Sequence, residues 1–207
     1  MITIIGAGRI GSIVASNLVT RRLGDILLID IIEGLPQGEA LDLGHMAASY
    51  GIDVALKGSN DYRDMEGSDM VIVTAGLPRR PGMTRLDLLQ KNAQIVRDIS
   101  LKIAEYAPEA KLLMVTNPLD VMTYVALKTT GFQANRVFGM GGMLDSARFR
   151  YFISEALRVP RSSVEALVIG EHGESMLPLP RYSKVSEKPL TEIMSSKDVE
   201  EVVEKTR

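Results

Sequence analysis

The chain has 207 residues, 45% of them hydrophobic and 24% charged, with a formal net charge of −2 and no cysteine. That is enough chain for a real core. The charge balance gives no general pull toward nucleic acid or an anionic membrane, and the missing cysteines exclude disulfides, thiolate catalysis and zinc–thiolate sites. With only His45 and His172 present, no metal site is expected, and no apolar run approaches the ~18 residues a bilayer span needs. No signal-like leader precedes the first strand, so the reading is a cytoplasmic protein.

In chain order, an apolar, partly β-branched strand opens the sequence and runs into Gly6-Ala7-Gly8-Arg9-Ile10-Gly11. A helix is predicted over 10–22, a strand over 26–30, a helix over 36–50 with Pro36 in its first turn, and a short strand over 53–57. A polar connection follows over 60–67. The run at 70–73 is continuously apolar, as in a parallel strand buried on both faces. A Pro-, Gly- and Arg-rich loop occupies 77–84, then a long helix 85–106 that Pro108 stops. A strand over 111–116 closes in Asn117-Pro118, a helix spans 119–130, and a last short strand spans 136–139. Strands alternating with helices in this rhythm predict βαβ units and a Rossmann-type, doubly wound parallel sheet of the α/β class. Beyond 143 the character changes: a helix over 144–157, a strand over 164–169, a loop-like tail from Pro178 and a charged helix over 196–207. The predicted division is a dinucleotide-binding domain over 1–143 and the start of an α+β substrate domain over 144–207.

The glycine turn carries chemistry. Gly6 makes the turn, Gly8 lets a pyrophosphate approach bare backbone, and Gly11 lets the helix pack close to the strand. The helix start then offers N–H groups and a positive dipole end to phosphate. Asp30 follows Gly11 by 19 residues, at the end of the second strand, where a carboxylate accepts from a ribose diol and repels a 2′-phosphate. The implied cofactor is NAD rather than NADP. Ligands of such sheets lie beyond the carboxyl ends of the strands, which places 6–11, Asp30, Thr74 to Gly76 and Thr116-Asn117 together.

The stretches IIGAGRIG, LLID, VIVTAGLPRRPGMTRLDLLQKN, VTNPLDVMTYV, GMGGMLDSARFR and VIGEHGESM resemble the lactate/malate dehydrogenase superfamily. They cover nearly the whole chain in the family's order and lie closest to the malate-specific members of its lactate-dehydrogenase-like branch. The resemblance implies reversible hydride transfer between NAD and C2 of a 2-hydroxy acid. By this resemblance His172 is the proton donor and acceptor and Asp145 its carboxylate partner, which fixes the imidazole tautomer. Arg148, three residues after Asp145, matches the arginine that grips the substrate carboxylate. Arg85 matches the loop arginine that polarises the carbonyl. Arg79 matches the position that separates substrates, an arginine there pairing the second carboxylate of malate or oxaloacetate. Arg80 lies next to it; counting back from Arg85 through Pro81-Gly82, the resemblance favours Arg79. Asn117 matches the residue on the substrate oxygen and the nicotinamide surroundings. The implied cofactor contacts are Gly6, Gly8, Arg9, Ile10, Gly11, Asp30, Thr74, Gly76, Asn92, Thr116 and Asn117.

The implied function is NAD-dependent malate dehydrogenase of the tricarboxylic acid cycle, acting on a small dicarboxylate as a homo-oligomer, a tetramer or a dimer. The rivals are a lactate or other 2-hydroxyacid dehydrogenase and, from another class, a non-catalytic NAD-binding module, which has no need of His172, Asp145, Arg148 and Arg85. NAD-dependent glycosidases need metal-ligating cysteine or histidine, and cysteine is absent. The family's substrate domain continues past the position of Arg207, so residues 144–207 are expected to be its N-terminal part. His45 has no catalytic partner in spacing and reads as structural or surface.

Overall fold

A computed structural model describes residues 1–78 and 82–207. The chain divides into two compact units, Met1–Gly139 and Met140–Arg207.

The first unit is one parallel sheet of β1 (Ile2–Ile5), β2 (Ile26–Ile29), β3 (Leu56–Ser59), β4 (Met70–Val73), β5 (Lys111–Met114) and β6 (Val137–Gly139), in the order β3-β2-β1-β4-β5-β6. The chain runs outward from β1 to one edge, then returns to β4 on its other side, so β1 and β4 flank the switch point where such sheets bind ligands. The helices are α1 (Arg9–Thr20), α2 (Leu35–Ser49), α3 (Arg85–Tyr106) and α4 (Leu119–Thr130). Two cores explain the continuous apolar strands. Ile4, Ile26, Leu28 and Ile72 pack with Ala15 and Val19 of α1 and Ala40, Leu43 and Ala47 of α2. Their sequence neighbours Ile5, Leu27, Ile29, Val71 and Val73 pack with Val96, Ile99 and Ile103 of α3 and Met122 and Ala126 of α4. Alternate side chains go to opposite faces, both covered, and each fully buried aliphatic chain contributes roughly 1.5–3 kcal/mol.

The third strand of this sheet is shifted from expectation. β3 occupies Leu56–Ser59 rather than 53–57. Gly58, which reads as a strand breaker, sits inside it because α2 lies directly on that spot: an added Cβ would come within 2.1 Å of the Pro36 carbonyl oxygen.

The second unit is built on α5 (Gly142–Leu157), whose Phe149 and Ile153 form its core with Val164, Val168, Met176, Val185, Leu190 and Val202. The strand expected over 164–169 is two strands, β7 (Val164–Glu165) and β8 (Val168–Ile169), serving different sheets. β8 pairs antiparallel with β9 (Leu177–Pro178), and β7 with β10 (Lys184–Val185), which also pairs with β11 (Lys188–Pro189). The tail from Pro178 is therefore structured rather than loop-like, continuing through a helical turn α6 (Leu190–Ile193) into α7 (Ser196–Thr206). Ser186 and Glu187 turn the β10–β11 hairpin with φ of 45° and 71°, the positive values a two-residue type I′ turn requires. Among the described residues no helix is long and apolar enough to cross a membrane.

Candidate active site

In the first unit the cofactor candidates gather at the carboxyl ends of the strands. Gly6 leaves β1 at φ 105°, where a side chain is strained. A Cβ on Gly11 would lie 1.9 Å from the Gly6 carbonyl oxygen, so α1 is held against β1 by the lack of a side chain. Gly8 differs: a Cβ there would meet nothing within 4 Å. It is also the N-cap of α1, makes no side-chain cap bond, and no acidic residue occupies the first turn. Bare backbone at an uncapped, positive helix end, with open space in front, fits a pyrophosphate.

Asp30 stands where β2 ends. Its Oδ2 accepts from the Ala7 N–H at 2.8 Å and its Oδ1 from the Ile32 N–H at 2.9 Å. A carboxylate has about four acceptor sites, so two remain for a ribose diol. Asn60 braces this corner from β3, its amide donating to the carbonyls of Asp30 (2.7 Å) and Ile32 (2.9 Å). Sequence reading missed Asn60 because a lone asparagine after a strand carries no local signal.

Thr74 spans the switch point, its hydroxyl donating to the Gly6 carbonyl at 2.9 Å. Thr116 is 5% exposed and donates to the Ala75 carbonyl at 2.7 Å. The role expected for Asn92, a cofactor contact, meets a different arrangement. The residue is 2% exposed and its amide is committed to the backbone of Leu77 and Asn117. Asn117 precedes the cis peptide bond to Pro118. Arg79 and Arg80 lie outside the described residues. Arg85 is the first residue of α3, directly after a capping box in which the Thr84 hydroxyl accepts from the Asp87 N–H and the Asp87 carboxylate accepts from the Thr84 N–H. His45 is on the exposed face of α2.

In the second unit Asp145 lies in the first turn of α5 and is 1% exposed. A buried carboxylate needs compensation, and three features supply it: the positive end of the helix, the His172 Nδ1 at 2.8 Å from Oδ2, and the Arg148 Nη1 at 3.3 Å from Oδ1. Arg148 follows Asp145 by one helical turn, so both side chains share a face. His172 sits on the loop between β8 and β9. That loop turns at Gly170 (φ 91°), closes with a hydrogen bond from the Ser175 hydroxyl to the Glu171 carboxylate, and is joined to α5 by the Val168 N–H donating to the Ser146 hydroxyl at 2.9 Å. A carboxylate accepts only, so in this pair Nδ1 carries the proton. Among the described residues no cluster suited to a metal ion occurs.

Residues 1–139 match the family model for the lactate/malate dehydrogenase NAD-binding domain, and residues 142–206 match the model for the alpha/beta C-terminal domain of the same family. The chain belongs to the lactate/malate dehydrogenase family. Its first unit is the family's NAD-binding domain, with a parallel sheet of six strands. Among similar lactate/malate dehydrogenases, a malate dehydrogenase of Pyrobaculum calidifontis is 52% identical over 207 residues, 100% of this chain and 67% of that protein. The apo malate dehydrogenase of Picrophilus torridus superposes with a TM-score of 0.96 at 44% identity, over 100% of this chain and 65% of that one. A Cryptosporidium parvum lactate dehydrogenase, solved with lactic acid and nicotinamide adenine dinucleotide, gives 0.94 at 41% identity, over 100% and 67%. The chain thus spans about two thirds of the length of these relatives.

Proposed function

We propose that this chain carries the NAD-dependent interconversion of malate and oxaloacetate. The observation that carries the reading is the buried Asp145 carboxylate shared by His172 and Arg148, in a chain whose other unit is an NAD-binding domain. Mere cofactor binding has no use for that trio, which disfavours the non-catalytic rival.

NAD, when bound, accepts or gives the hydride. The turn 6–11, with the backbone of Gly6, Gly8, Arg9, Ile10 and Gly11, holds its pyrophosphate, Asp30 its ribose, and Thr74, Gly76 and Thr116 border it with backbone. Arg148 grips the C1 carboxylate through two parallel hydrogen bonds, Arg79 the second carboxylate, and Asn117 the substrate oxygen. Asp145 keeps the proton on Nδ1, so the Nε2 of His172 takes the C2 hydroxyl proton in oxidation and returns it to the carbonyl oxygen in reduction. Arg85 steadies the charge that builds on that oxygen. Homo-oligomers, tetrameric or dimeric, are proposed as the working form; large apolar side chains stay exposed on both sides of the sheet, Leu41 and Tyr50 on and beside α2 and Tyr124 on α4. The substrate and product place the reaction among the interconversions of the tricarboxylic acid cycle.

The competing substrate is lactate, since a lactate dehydrogenase is among the structural relatives. Arg79 decides between them. Burying that arginine against a monocarboxylate leaves it unpaired, a loss of roughly 3–5 kcal/mol, or about 10²-fold to a few thousand-fold. Steady-state oxidation of NADH with oxaloacetate and with pyruvate tests this. Oxaloacetate is expected to win on kcat/KM by about that factor, and a preference for pyruvate contradicts the reading. Arg79→Gln should move the preference toward pyruvate; no movement assigns the role to Arg80.

A further inference from the structure

We infer that Asn92 is a positioning residue that locks the chain leaving β4 to the chain leaving β5. It acts on the substrate step through Asn117 rather than by touching the cofactor. Beyond the ends of two parallel strands the ladder hydrogen bonds run out, and the backbone groups there need other partners. Asn92, reaching in from α3, supplies them. Its Oδ1 accepts from the Leu77 N–H at 2.8 Å, while its Nδ2 donates to the Leu77 carbonyl at 3.3 Å and to the Asn117 carbonyl at 2.8 Å. An amide nitrogen has two hydrogens, and both are spent. At 2% exposure the side chain has almost no surface left to offer a ligand.

The surroundings reinforce the lock. A Cβ on Gly76 would come within 2.6 Å of the Thr116 Cγ2 and 3.4 Å of the Asn92 Oδ1, so the two chains approach closely only with glycine there. The Thr116 hydroxyl bridges to the Ala75 carbonyl at 2.7 Å. Leu77 is two residues before Arg79, the residue assigned to the second carboxylate. One amide therefore ties the root of the segment carrying the specificity arginine to the residue assigned to the substrate oxygen. The kinetic half of this inference rests on the malate reading above; the structural half does not.

The test uses the whole chain with Asn92→Asp, which keeps the size and the acceptor but loses both donors, and with Asn92→Ala. Amide exchange over residues 75–78 should quicken in both variants. Oxaloacetate kcat/KM should fall about 10- to 100-fold, as small misplacements at a reacting centre do, while the NADH dissociation constant from fluorescence titration stays within about threefold. Adding Asn117→Ala to Asn92→Ala should cost less than the product of the two single losses: Asn92 holds the backbone carbonyl of Asn117 and so acts by placing the side chain that Asn117→Ala removes. A loss of NADH affinity in step with kcat/KM would make Asn92 a cofactor contact and overturn the inference. So would unchanged kinetics in a variant that merely melts lower. If the wild-type chain fails to reduce oxaloacetate, the malate reading falls, and the exchange measurement still decides the lock: unchanged protection over 75–78 overturns it, faster exchange sustains it.

Discussion

Gly8 and Gly11 lie in one short motif and face opposite surroundings. A methyl group on Gly11 strikes the Gly6 carbonyl oxygen, whereas one on Gly8 enters open space. Gly11→Ala should therefore destabilise the fold by about 1–3 kcal/mol, as overpacking does, visible as a lower denaturation midpoint. Gly8→Ala should leave that midpoint in place and weaken NADH binding by about tenfold or more, a cost of roughly 1.4 kcal/mol. The two variants separate a glycine kept for packing from one kept for a ligand. At this scale part was legible in the sequence: the glycine turn and Asp30 announce themselves by residue type and spacing, whereas His172 in its GEHG loop is singled out only through the family resemblance. Asn92 and Asn60 were not legible as ties, because their partners are backbone groups far along the chain, and a sequence does not print who accepts from whom.

The helices and the βαβ rhythm of the first sheet follow from patterns the sequence carries openly. Parallel strands covered on both faces must be apolar at every position, and the helix stops at Pro108 and Gly131 are local. The start of α3 is equally local. Thr84 and Asp87 cap it reciprocally, and the Thr84 hydrogen bonds hold the Asp87 carboxyl below the usual carboxylate range. Thr84→Ala should cost about 1 kcal/mol of stability, measured by denaturant unfolding. Because the folded value is depressed, what Asp87 adds is fully present above the ordinary carboxylate range and is lost as pH falls through the folded value. The difference between wild type and Thr84→Ala should accordingly shrink in acid. The second unit was less legible. Its strands are two residues each, too short to display a period, and its hairpin turns on Ser186-Glu187 rather than on the Asn-Gly or Asp-Gly pair that signals such turns. β3 shifted for a related reason: Gly58 reads as punctuation until the backbone of α2 is seen lying on it.

At the scale of the whole molecule, the chain divides its chemistry between two units with separate cores. The first is an NAD-binding domain with an open glycine corner. The second buries one carboxylate between an imidazole and a guanidinium. In the proposed reaction this carboxylate fixes His172 as the proton carrier of the hydride transfer. Asp145→Asn tests it most directly, because asparagine keeps the shape but offers an amide where Nδ1–H needs an acceptor. Measured as reduction of oxaloacetate by the preformed NADH complex in a single turnover, the rate should fall about 10²- to 10⁴-fold, the range lost when such an orienting carboxylate becomes an amide, with NADH affinity unchanged. A variant that turns over within about twofold of wild type, a difference of under half a kcal/mol in the barrier, contradicts the claim.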